Sequence, residues 1–483
     1  MNEKTSRVLE IFERINQIPR ESKNEEKIAQ WIRDWAEKRQ FPVKSDHVGN
    51  LVIDIPASSG CESGPIIVLQ GHMDMVCEKS VDSRHDFSKD PIRHIIEGEW
   101  LRADNTSLGA DNGIAIAIAM ALADDPDIIH PELELLFTVD EETGLTGANA
   151  MEPGFFEGRI LINIDSEDEG VFTIGCAGGV DSHFEMALST EPAKGNNIVC
   201  DLSISGLKGG HSGIDINKGR ANANNLLARA IRIMQSHTEI RLLSFSGGTT
   251  HNAIPRNAAA QFLCSEQNLS LMQEKVLEFE AILQKEYQIS DPGLSLSLNL
   301  KADSYKNGQE EAITQDDTDR VIRLLLAFPW GVSAMSEVPG LVETSSNLAS
   351  VNLAGCQLNI LSSQRSSVMT RLDEITIRIE SLGMLAGASI KNGLGYPCWT
   401  PDTGSALLKQ CREVYVKLFD KIPEEQIIHA GLECAIIGSR YKGIDMISIG
   451  PTIRNPHSPE ERLHIPSVGK IWEFMTALLK SYS

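Results

Sequence analysis

The sequence predicts an α/β fold in which a mixed sheet flanked by helices is interrupted by an inserted α+β domain. Strand-like and helix-like segments alternate through the first part of the chain and return near its end. Between them, a succession of strand, helix and strand occurs twice. The length of 483 residues also exceeds the roughly 250–300 residues at which one core usually divides. We therefore expect one domain formed by 1–184 and 396–483, and an inserted domain formed by 185–395.

Hydrophobic periodicity predicts the elements of the first domain. In chain order they are an amphipathic helical segment over 5–39 that is interrupted near Pro19, strands over 50–55 and 65–69, a buried helix over 111–122, strands over 133–139 and 159–164, a helix over 404–419, and strand-like segments over 425–428 and 445–449. The helix over 111–122 is expected to be buried because its residues are almost all small or aliphatic.

The inserted domain is predicted from a change of pattern around residues 182–186. Its predicted elements are a strand over 197–204, a helix over 221–235, a strand over 258–264, a helix over 269–287, a strand over 294–300, a helix over 318–326, strands near 341–360, a helix over 366–382 and a strand over 386–390.

Composition limits the classes of partner. The chain carries 67 acidic and 44 basic residues, a formal charge of −23, which argues against nucleic acid and anionic membranes as partners. It has no apolar run of about 18 residues, so we expect no membrane-spanning helix, and its charged N-terminal segment does not resemble a secretory leader. The nine cysteines lack CxxC spacing, which favours reduced thiols in the cytoplasm.

Five short segments each carry a potential metal ligand, most of them directly after an apolar, strand-like run. They are Gly71-His72-Met73-Asp74, Gly109-Ala110-Asp111-Asn112-Gly113, Asp140-Glu141-Glu142-Thr143-Gly144, Asn163-Ile164-Asp165 and Asn455-Pro456-His457-Ser458. In an open α/β sheet, functional groups gather at the carboxyl ends of the strands, so residues far apart in sequence converge there. Together the segments predict one dinuclear metal site.

Each segment also has a structural interpretation. His72 and His457 fit ordinary polar positions, Asp111 fits a turn or a helix cap, and the acidic residues at 141, 142 and 165 fit solvated strand ends. The coincidence of five such segments favours the metal site.

Two histidines with three or four carboxylates favour zinc, although manganese or cobalt also occupies such N and O sites. A carboxylate such as Asp111 is able to bridge two metals, and Asp74 is placed to accept the imidazole N–H of His72. One of the two adjacent glutamates can bind metal while the other acts as a base. Cys77 is not expected to be a ligand.

The chain resembles a known family. The motifs that carry the resemblance are IPRESKNE (18–25), QGHMDMV (70–76), LGADNG (108–113), TVDEETGLTGA (138–148), NIDSE (163–167), GLKGGHSG (206–213) and HSPEER (457–462). They are similar to motifs of the co-catalytic dinuclear zinc peptidases and, within that superfamily, of the aminoacyl-histidine dipeptidases, also called the peptidase D or carnosinase-like group. The match runs essentially from end to end.

The resemblance implies roles for the residues of the first domain, which becomes the catalytic domain. His72 and Asp165 hold one zinc, Glu142 and His457 hold the other, and Asp111 bridges them. Glu141 is the general base and Asp74 orients a ligand. The resemblance also implies a cis-like peptide bond at Asp111-Asn112.

The inserted domain is then expected to act as a lid that binds substrate. Gly-flanked His211 fits a structural turn, and the resemblance makes it the stabiliser of the oxyanion. Asn252 resembles the family's substrate-loop residue. Arg365 stands among serines, which suits either a clamp on the substrate's C-terminal carboxylate or a surface turn. Glu433 is either a surface acid or the residue that recognises the substrate's amino group.

The sequence as a whole predicts a cytoplasmic, zinc-dependent dipeptidase with two Zn²⁺ per subunit. The expected substrates are unblocked dipeptides, with preference for Xaa-His including β-alanyl-histidine, and the expected assembly is a homodimer. An aminoacylase or a broader exopeptidase on the same scaffold is the nearer alternative. A non-catalytic, peptide-binding member of the fold is the more distant one.

Overall fold

The computed structural model describes residues 3–193, 197–300, 311–336 and 340–483. The chain forms two compact units. Unit 1 comprises Met1–Cys176, Trp399–Ile427 and Leu432–Ser483, and unit 2 comprises Ala177–Cys398 and Ile428–Gly431. The α/β class expected from the sequence is confirmed.

The elements of unit 1 follow the alternating pattern. Its helices are Glu3–Ile15, Glu26–Lys38, Ala110–Asp124, Thr146–Ala150, Ala406–Phe419, Glu433–Arg440 and Ile465–Lys480. Its strands are Val43–Ser45, Leu51–Ile55, Ile67–His72, His94–Glu97, Trp100–Ala103, Leu133–Thr138, Ile160–Asn163, Val171–Cys176, Glu424–Ile428, Asp445–Ser448, Ile453–Arg454 and Arg462–His464.

The main sheet of unit 1 has a parallel centre. In spatial order its strands begin at residues 43, 51, 133, 67, 160, 445, 171 and 424. The four central strands, Leu133–Thr138, Ile67–His72, Ile160–Asn163 and Asp445–Ser448, run parallel to one another. Leu51–Ile55 and Val171–Cys176 pair antiparallel with the two outer strands of this group, and Val43–Ser45 pairs antiparallel with Leu51–Ile55. The carboxyl ends of the four central strands therefore lie along one edge of the sheet.

Burial on both faces explains the composition of the central strands. Every residue of Ile67–His72 and of Leu133–Thr138 is buried, as is usual for parallel strands covered on both sides. The helix Ala110–Asp124 is buried all round because its residues 114–122 alternate between alanine and larger aliphatic side chains. A small separate sheet contains His94–Glu97, Trp100–Ala103, Ile453–Arg454 and Arg462–His464.

Unit 2 is built on a large, antiparallel sheet. Its strands are Gly178–Ala187, Asn197–Ser205, Arg241–Gly247, Ala258–Ser265, Ser295–Leu300, Gly331–Met335, Val342–Ala354, Gln357–Ser366 and Ser389–Asn392. The helices of the unit are Ala223–Gln235, Leu269–Glu286, Gln315–Ala327 and Met369–Ala386, with a short 3-10 turn at Glu266–Asn268. The helices and this sheet share one cluster of buried apolar side chains.

Two short strand pairs complete unit 2. They are Thr190–Pro192 with Glu311–Ile313, and Gly210–His211 with Ala253–Ile254.

The boundaries between the units differ from those expected at 184/185 and 395/396. The strand Gly178–Ala187 pairs along its whole length with Gln357–Ser366, so residues 177–184 belong to the inserted unit. The returning chain enters unit 1 at Trp399, and the four residues Ile428–Gly431 belong to unit 2. Among the helices that the structure describes, none combines the length and the apolar character needed to cross a membrane.

Candidate metal centre

The parallel strands of unit 1 bring the proposed metal ligands to one edge of the sheet. His72 is the last residue of Ile67–His72. Glu141 and Glu142 follow the strand Leu133–Thr138, and Asp165 follows Ile160–Asn163. Asp111 lies at the start of the buried helix Ala110–Asp124.

Two groups of donor atoms form at this edge, and within each group the donor atoms lie within 4.8 Å of one another. In the first, His72 Nε2 lies 3.1 Å from Asp111 Oδ1 and 3.5 Å from Asp165 Oδ1. In the second, His457 Nε2 lies 3.1 Å from Asp111 Oδ2 and 3.1 Å from Glu142 Oε2. Cys77 belongs to neither group.

Asp111 connects the two groups because each of its oxygens faces a different histidine. The Asp111–Asn112 peptide bond is cis. The Asn112 side chain ties this turn to both neighbouring strands: its Oδ1 accepts the His72 N–H at 3.1 Å and its Nδ2 donates to the Ile164 carbonyl at 2.7 Å. The turn that carries Asp111 is thereby fixed relative to His72 and Asp165.

Asp74 lies behind His72. Its Oδ1 is 3.2 Å from His72 Nδ1 and accepts the Glu141 N–H at 3.0 Å, while its Oδ2 accepts from the Ser22 hydroxyl at 2.8 Å and the Glu142 N–H at 3.2 Å. Burial by itself raises the pKa of Asp74, but the bonds from His72, Glu141 and Ser22 lower it to about 2. A carboxylate at Nδ1 directs His72 Nε2 toward the first group of donors.

Glu141 lies beside the donor groups, and its Oε atoms come within reach of His72 and Glu142. Burial raises its pKa well above the ordinary value; His72 opposes this shift, and the neighbouring Asp165, Glu142 and Glu433 add to it. A carboxyl group with a raised pKa is a stronger base than an ordinary carboxylate and therefore suits proton transfer.

The donor set fits divalent cations. Burial raises the pKa of Asp165 to about 6 and also raises the pKa of Glu142, because several carboxylates share little water. Glu142 Oε1 is buried without a hydrogen-bond partner in the described part of the chain. Imidazole and carboxylate donors in two groups joined by a bridging carboxylate are the ligands that paired zinc ions prefer.

Glu433 is part of the interior of unit 1. Its side chain is 0% exposed, and its Oε2 accepts from Gln70 Nε2 at 2.5 Å and from the Thr138 hydroxyl at 2.7 Å. Burial raises its pKa to about 7. Its Oε1 has no hydrogen-bond partner among the described residues. The alternative of a surface acid is therefore wrong, and recognition of an amine here requires access to Oε1.

His211 and Asn252 lie together in unit 2. His211 pairs with Ala253 in a short ribbon, and the Ser212 N–H donates to the Asn252 carbonyl at 2.7 Å. His211 Nδ1 accepts the N–H groups of Gly213 and Ile214, each at 3.1 Å. In its neutral form the ring therefore carries its proton on Nε2 and presents a donor there.

Arg365 lies in a strand of unit 2 and not in a surface turn. It is 7% exposed, its Nη1 donates to the Tyr396 hydroxyl at 2.8 Å, and it stands opposite Ser345 on the neighbouring strand. Ser345 Oγ is 2.7 Å from His429 Nε2. Arg365 Nε and His429 Nδ1 are both buried without a partner among the residues described.

The position of His429 beside Arg365 affects its charge. Burial, followed by the positive charge of Arg365, lowers the pKa of His429 to about 3. A neutral imidazole and a guanidinium with unused polar atoms are suited to a carboxylate. Nothing in the sequence motifs pointed to His429, because it lies 64 residues from Arg365 and meets it only through Ser345.

Known proteins resemble this chain in both sequence and structure. Residues 202–291 match the family model described as a peptidase dimerisation domain of the M20 group. The chain is 42% identical to the cytosol non-specific dipeptidase of Escherichia coli (strain K12) over 472 residues, which are 98% of this chain and 96% of that protein. The chain belongs to the M20 peptidase family.

Solved structures of other peptidases resemble this M20 peptidase. The aminoacylhistidine dipeptidase from Vibrio alginolyticus superimposes with a TM-score of 0.88 at 37% identity, covering 99% of this chain and 98% of that one. The aminopeptidase PepT from Bacillus cereus shares the fold, with a TM-score of 0.58 at 15% identity. The sequence-based assignment to this superfamily of metallopeptidases is confirmed.

Proposed function

We propose that this M20 peptidase hydrolyses unblocked dipeptides with two zinc ions and prefers those with a C-terminal histidine. One observation carries the proposal: two groups of histidine and carboxylate donors share Asp111, and Glu141 lies beside them. The preference for Xaa-His is supported by the name of the 37% identical relative, an aminoacylhistidine dipeptidase.

Five residues would hold the metal ions. We assign His72 and Asp165 to one ion, Glu142 and His457 to the other, and Asp111 to both. When bound, divalent zinc polarises a carbonyl group and lowers the pKa of water. Manganese and cobalt accept the same donors, so the metal is part of the test.

Glu141 would act as general base and then as general acid. Its carboxylate takes a proton from the attacking water and returns it to the nitrogen of the leaving amino acid. Asp74 holds His72 in orientation through Nδ1. His211, with its proton on Nε2, is assigned to stabilise the negative charge on the oxygen of the scissile carbonyl.

Three further residues are assigned to substrate. Arg365, supported by the neutral His429, is proposed to bind the C-terminal carboxylate. Asn252 is proposed as a polar contact from the loop beside His211. Glu433 is proposed for the free amino group, since an ammonium is the natural partner of its unpaired Oε1.

A second candidate is hydrolysis of dipeptides regardless of the second side chain. The name of the Escherichia coli relative, a non-specific dipeptidase, favours it. The two candidates share the metal centre and differ only in how the C-terminal side chain is recognised.

The test is amino-acid release by the zinc-loaded protein from Ala-His, β-Ala-His, Ala-Leu, a tripeptide and N-acetyl-Ala. We expect fast release of histidine from the first two substrates, abolished by a chelator and restored by zinc. Comparable turnover of Ala-Leu would favour the second candidate. Turnover of the tripeptide would indicate a broader exopeptidase, and that of N-acetyl-Ala an aminoacylase. The absence of turnover with zinc, manganese or cobalt would leave only the peptide-binding alternative.

We also propose that the protein acts in the cytoplasm as a homodimer. The match of residues 202–291 to a peptidase dimerisation domain supports the dimer, and the cytosolic relative supports the location. Light scattering of the purified chain distinguishes a dimer of about twice its 53.0 kDa from a monomer.

A further inference from the structure

Glu461 supports the turn that carries Asp111. Its carboxylate is 1% exposed and accepts four backbone N–H groups from that turn. Oε2 accepts from Leu108 at 2.7 Å and Gly109 at 2.9 Å, and Oε1 accepts from Ala110 at 2.7 Å and Asp111 at 3.3 Å. One side chain thereby satisfies every backbone donor of residues 108–111.

Arg20 joins the same turn to the strand that ends at His72. It is also 1% exposed, and its Nη1 donates to the carbonyls of Met73 at 3.2 Å and Asp74 at 3.0 Å. Its Nη2 donates to the Gly109 carbonyl at 2.5 Å. The guanidinium therefore spans the gap between the segments that carry His72 and Asp111.

Glycines allow this close packing. A Cβ at Gly109 would collide with Arg20 Nη2, and Gly109 has a φ of +68°, where side chains are strained. A Cβ at Gly113 would lie 2.6 Å from the same nitrogen. Gly109 and Gly113, on either side of Asp111, thus pack directly against the Arg20 guanidinium.

We propose that Glu461 and Arg20 are positioning residues that set the separation between His72 and Asp111, so that Asp111 reaches both metal ions. This inference rests on the proposed dinuclear centre. Neither side chain belongs to the two donor groups: Glu461 acts through the N–H groups of residues 108–111, and Arg20 acts through backbone carbonyls of that turn and of the strand end.

The chemistry of the carboxylate makes the proposal specific. An ionised carboxylate only accepts hydrogen bonds, so it suits four converging N–H groups. In Glu461→Gln, the amide NH₂ would face at least two of those N–H groups, donor against donor, and the turn would have to shift. A shift that separates Asp111 from one histidine weakens the bridge without removing any ligand.

Glu134 offers a matched control. It is 2% exposed and also accepts backbone N–H groups, from Glu157 at 2.9 Å and Gly158 at 2.8 Å. It lies near the start of the strand Leu133–Thr138, at the end away from the metal ligands. Glu134→Gln therefore introduces the same chemical change in a similar setting.

The experiment is titration of the full-length, metal-free proteins with Zn²⁺ by calorimetry, with the melting temperature of each recorded beforehand. We expect the wild type and Glu134→Gln to bind two ions alike. For Glu461→Gln we expect the weaker of the two sites to lose at least tenfold in affinity. With Mn²⁺ in place of zinc, we expect the paramagnetic resonance signal of exchange-coupled ions in the wild type and loss of that coupling in Glu461→Gln.

The outcomes separate this inference from the proposed function. If the wild type binds fewer than two ions, the dinuclear centre is wrong and this inference fails with it. If the wild type binds two and Glu461→Gln binds them equally well with coupling intact, only the positioning role fails. An equal loss in Glu134→Gln would also overturn it, because a general loss of stability would then explain both. If Glu461→Gln does not fold, Arg20→Lys is measured with the same expectation.

Discussion

At the scale of single residues, the expected role of a side chain in this protein depends on which groups surround its polar atoms. Glu141 and Glu142 are adjacent in sequence, yet Glu142 Oε2 lies 3.1 Å from His457 Nε2, whereas burial raises the pKa of Glu141 well above its ordinary value. Their N–H groups are both held by Asp74. Asp74 therefore fixes the backbone of both glutamates, while their carboxylates lie in different environments.

This difference leads to a prediction for the two glutamates. Glu141→Gln is expected to keep two zinc ions and lose at least about 10²-fold in kcat, because it removes the proton acceptor. Glu142→Gln is expected to lose metal affinity, because it removes a ligand. Metal content and kcat measured together distinguish the cases. Wild-type kcat in Glu141→Gln would show that the base lies elsewhere.

The sequence allowed metal ligands to be proposed because their residue types are rare in combination and follow apolar strands, and the structure brings these residues together. It also contained Arg20 and Glu461 within motifs, but their roles depend on backbone groups of other segments. Backbone N–H and carbonyl groups are common to nearly all residue types. The sequence of the partner segments therefore does not indicate which side chain binds to them. His429 was not predictable for a different reason: its neighbours Ser345 and Arg365 are distant in sequence, and only folding brings them together.

At the scale of elements, the loop that carries His211 depends on a glycine. A Cβ at Gly213 would collide with the carbonyl oxygen of His429, so this loop packs directly against the segment Ile428–Gly431. The Gly213 N–H also holds His211 Nδ1. The His211 imidazole thus keeps its position because residue 213 has no side chain.

We therefore predict that Gly213→Ala lowers kcat by at least tenfold while the fold is retained. The collision is with backbone, so the loop and His211 must move. Gly393→Ala is the matched control in unit 2, because a Cβ there would meet only Asp181 O at 3.6 Å, an ordinary contact. Steady-state kinetics and circular dichroism test both variants. Equal activity of the two would mean that the position of His211 does not matter.

Most long elements could be predicted, whereas short and polar ones could not. The strands His94–Glu97 and Trp100–Ala103 are four residues each and partly exposed, so they are too short for a hydrophobic period to be recognised in the sequence. Gly178–Ala187 begins with glycines and polar residues, which concealed the start of unit 2. The helix Ile465–Lys480 went unpredicted although its signal was present, with Pro466 in its first turn and buried apolar residues at helical spacing.

At the scale of the whole molecule, stability depends on pH through buried histidines. His94 accepts a hydrogen bond from Asn16 Nδ2 at 2.8 Å, and burial lowers its pKa to about 4. It stays neutral in the folded protein while the unfolded chain binds a proton below about pH 6.5. Because the unfolded state then holds more protons, stability falls as the pH decreases from about 6.5 to about 4.

The corresponding prediction concerns His94→Gln. Between pH 7.5 and 5, the wild type is expected to lose up to about 2 kcal/mol more of its unfolding free energy than the variant, since glutamine does not titrate. Urea unfolding at both pH values measures this difference. Parallel pH dependence in the two proteins would mean that the pKa of His94 is the same in the folded and unfolded states, contrary to the expectation.

The division into an α/β unit and an inserted α+β unit was predictable because the two patterns of alternation differ. The exact boundaries were not, since they depend on which strands pair. Residues 177–184 join unit 2 through the register of Gly178–Ala187 with Gln357–Ser366, and Ile428–Gly431 is too short to carry a pattern of its own.

The order of strands in unit 1 has a consequence for biosynthesis. Asp445–Ser448 lies between Ile160–Asn163 and Val171–Cys176, although it is made long after both. Until it emerges from the ribosome, the nascent chain presents unpaired strand edges, which are a risk for aggregation. Pairing over such a separation also slows folding. The proposed ligand His457 is made later still, so the proposed metal site cannot be completed before the sheet has its last central strand.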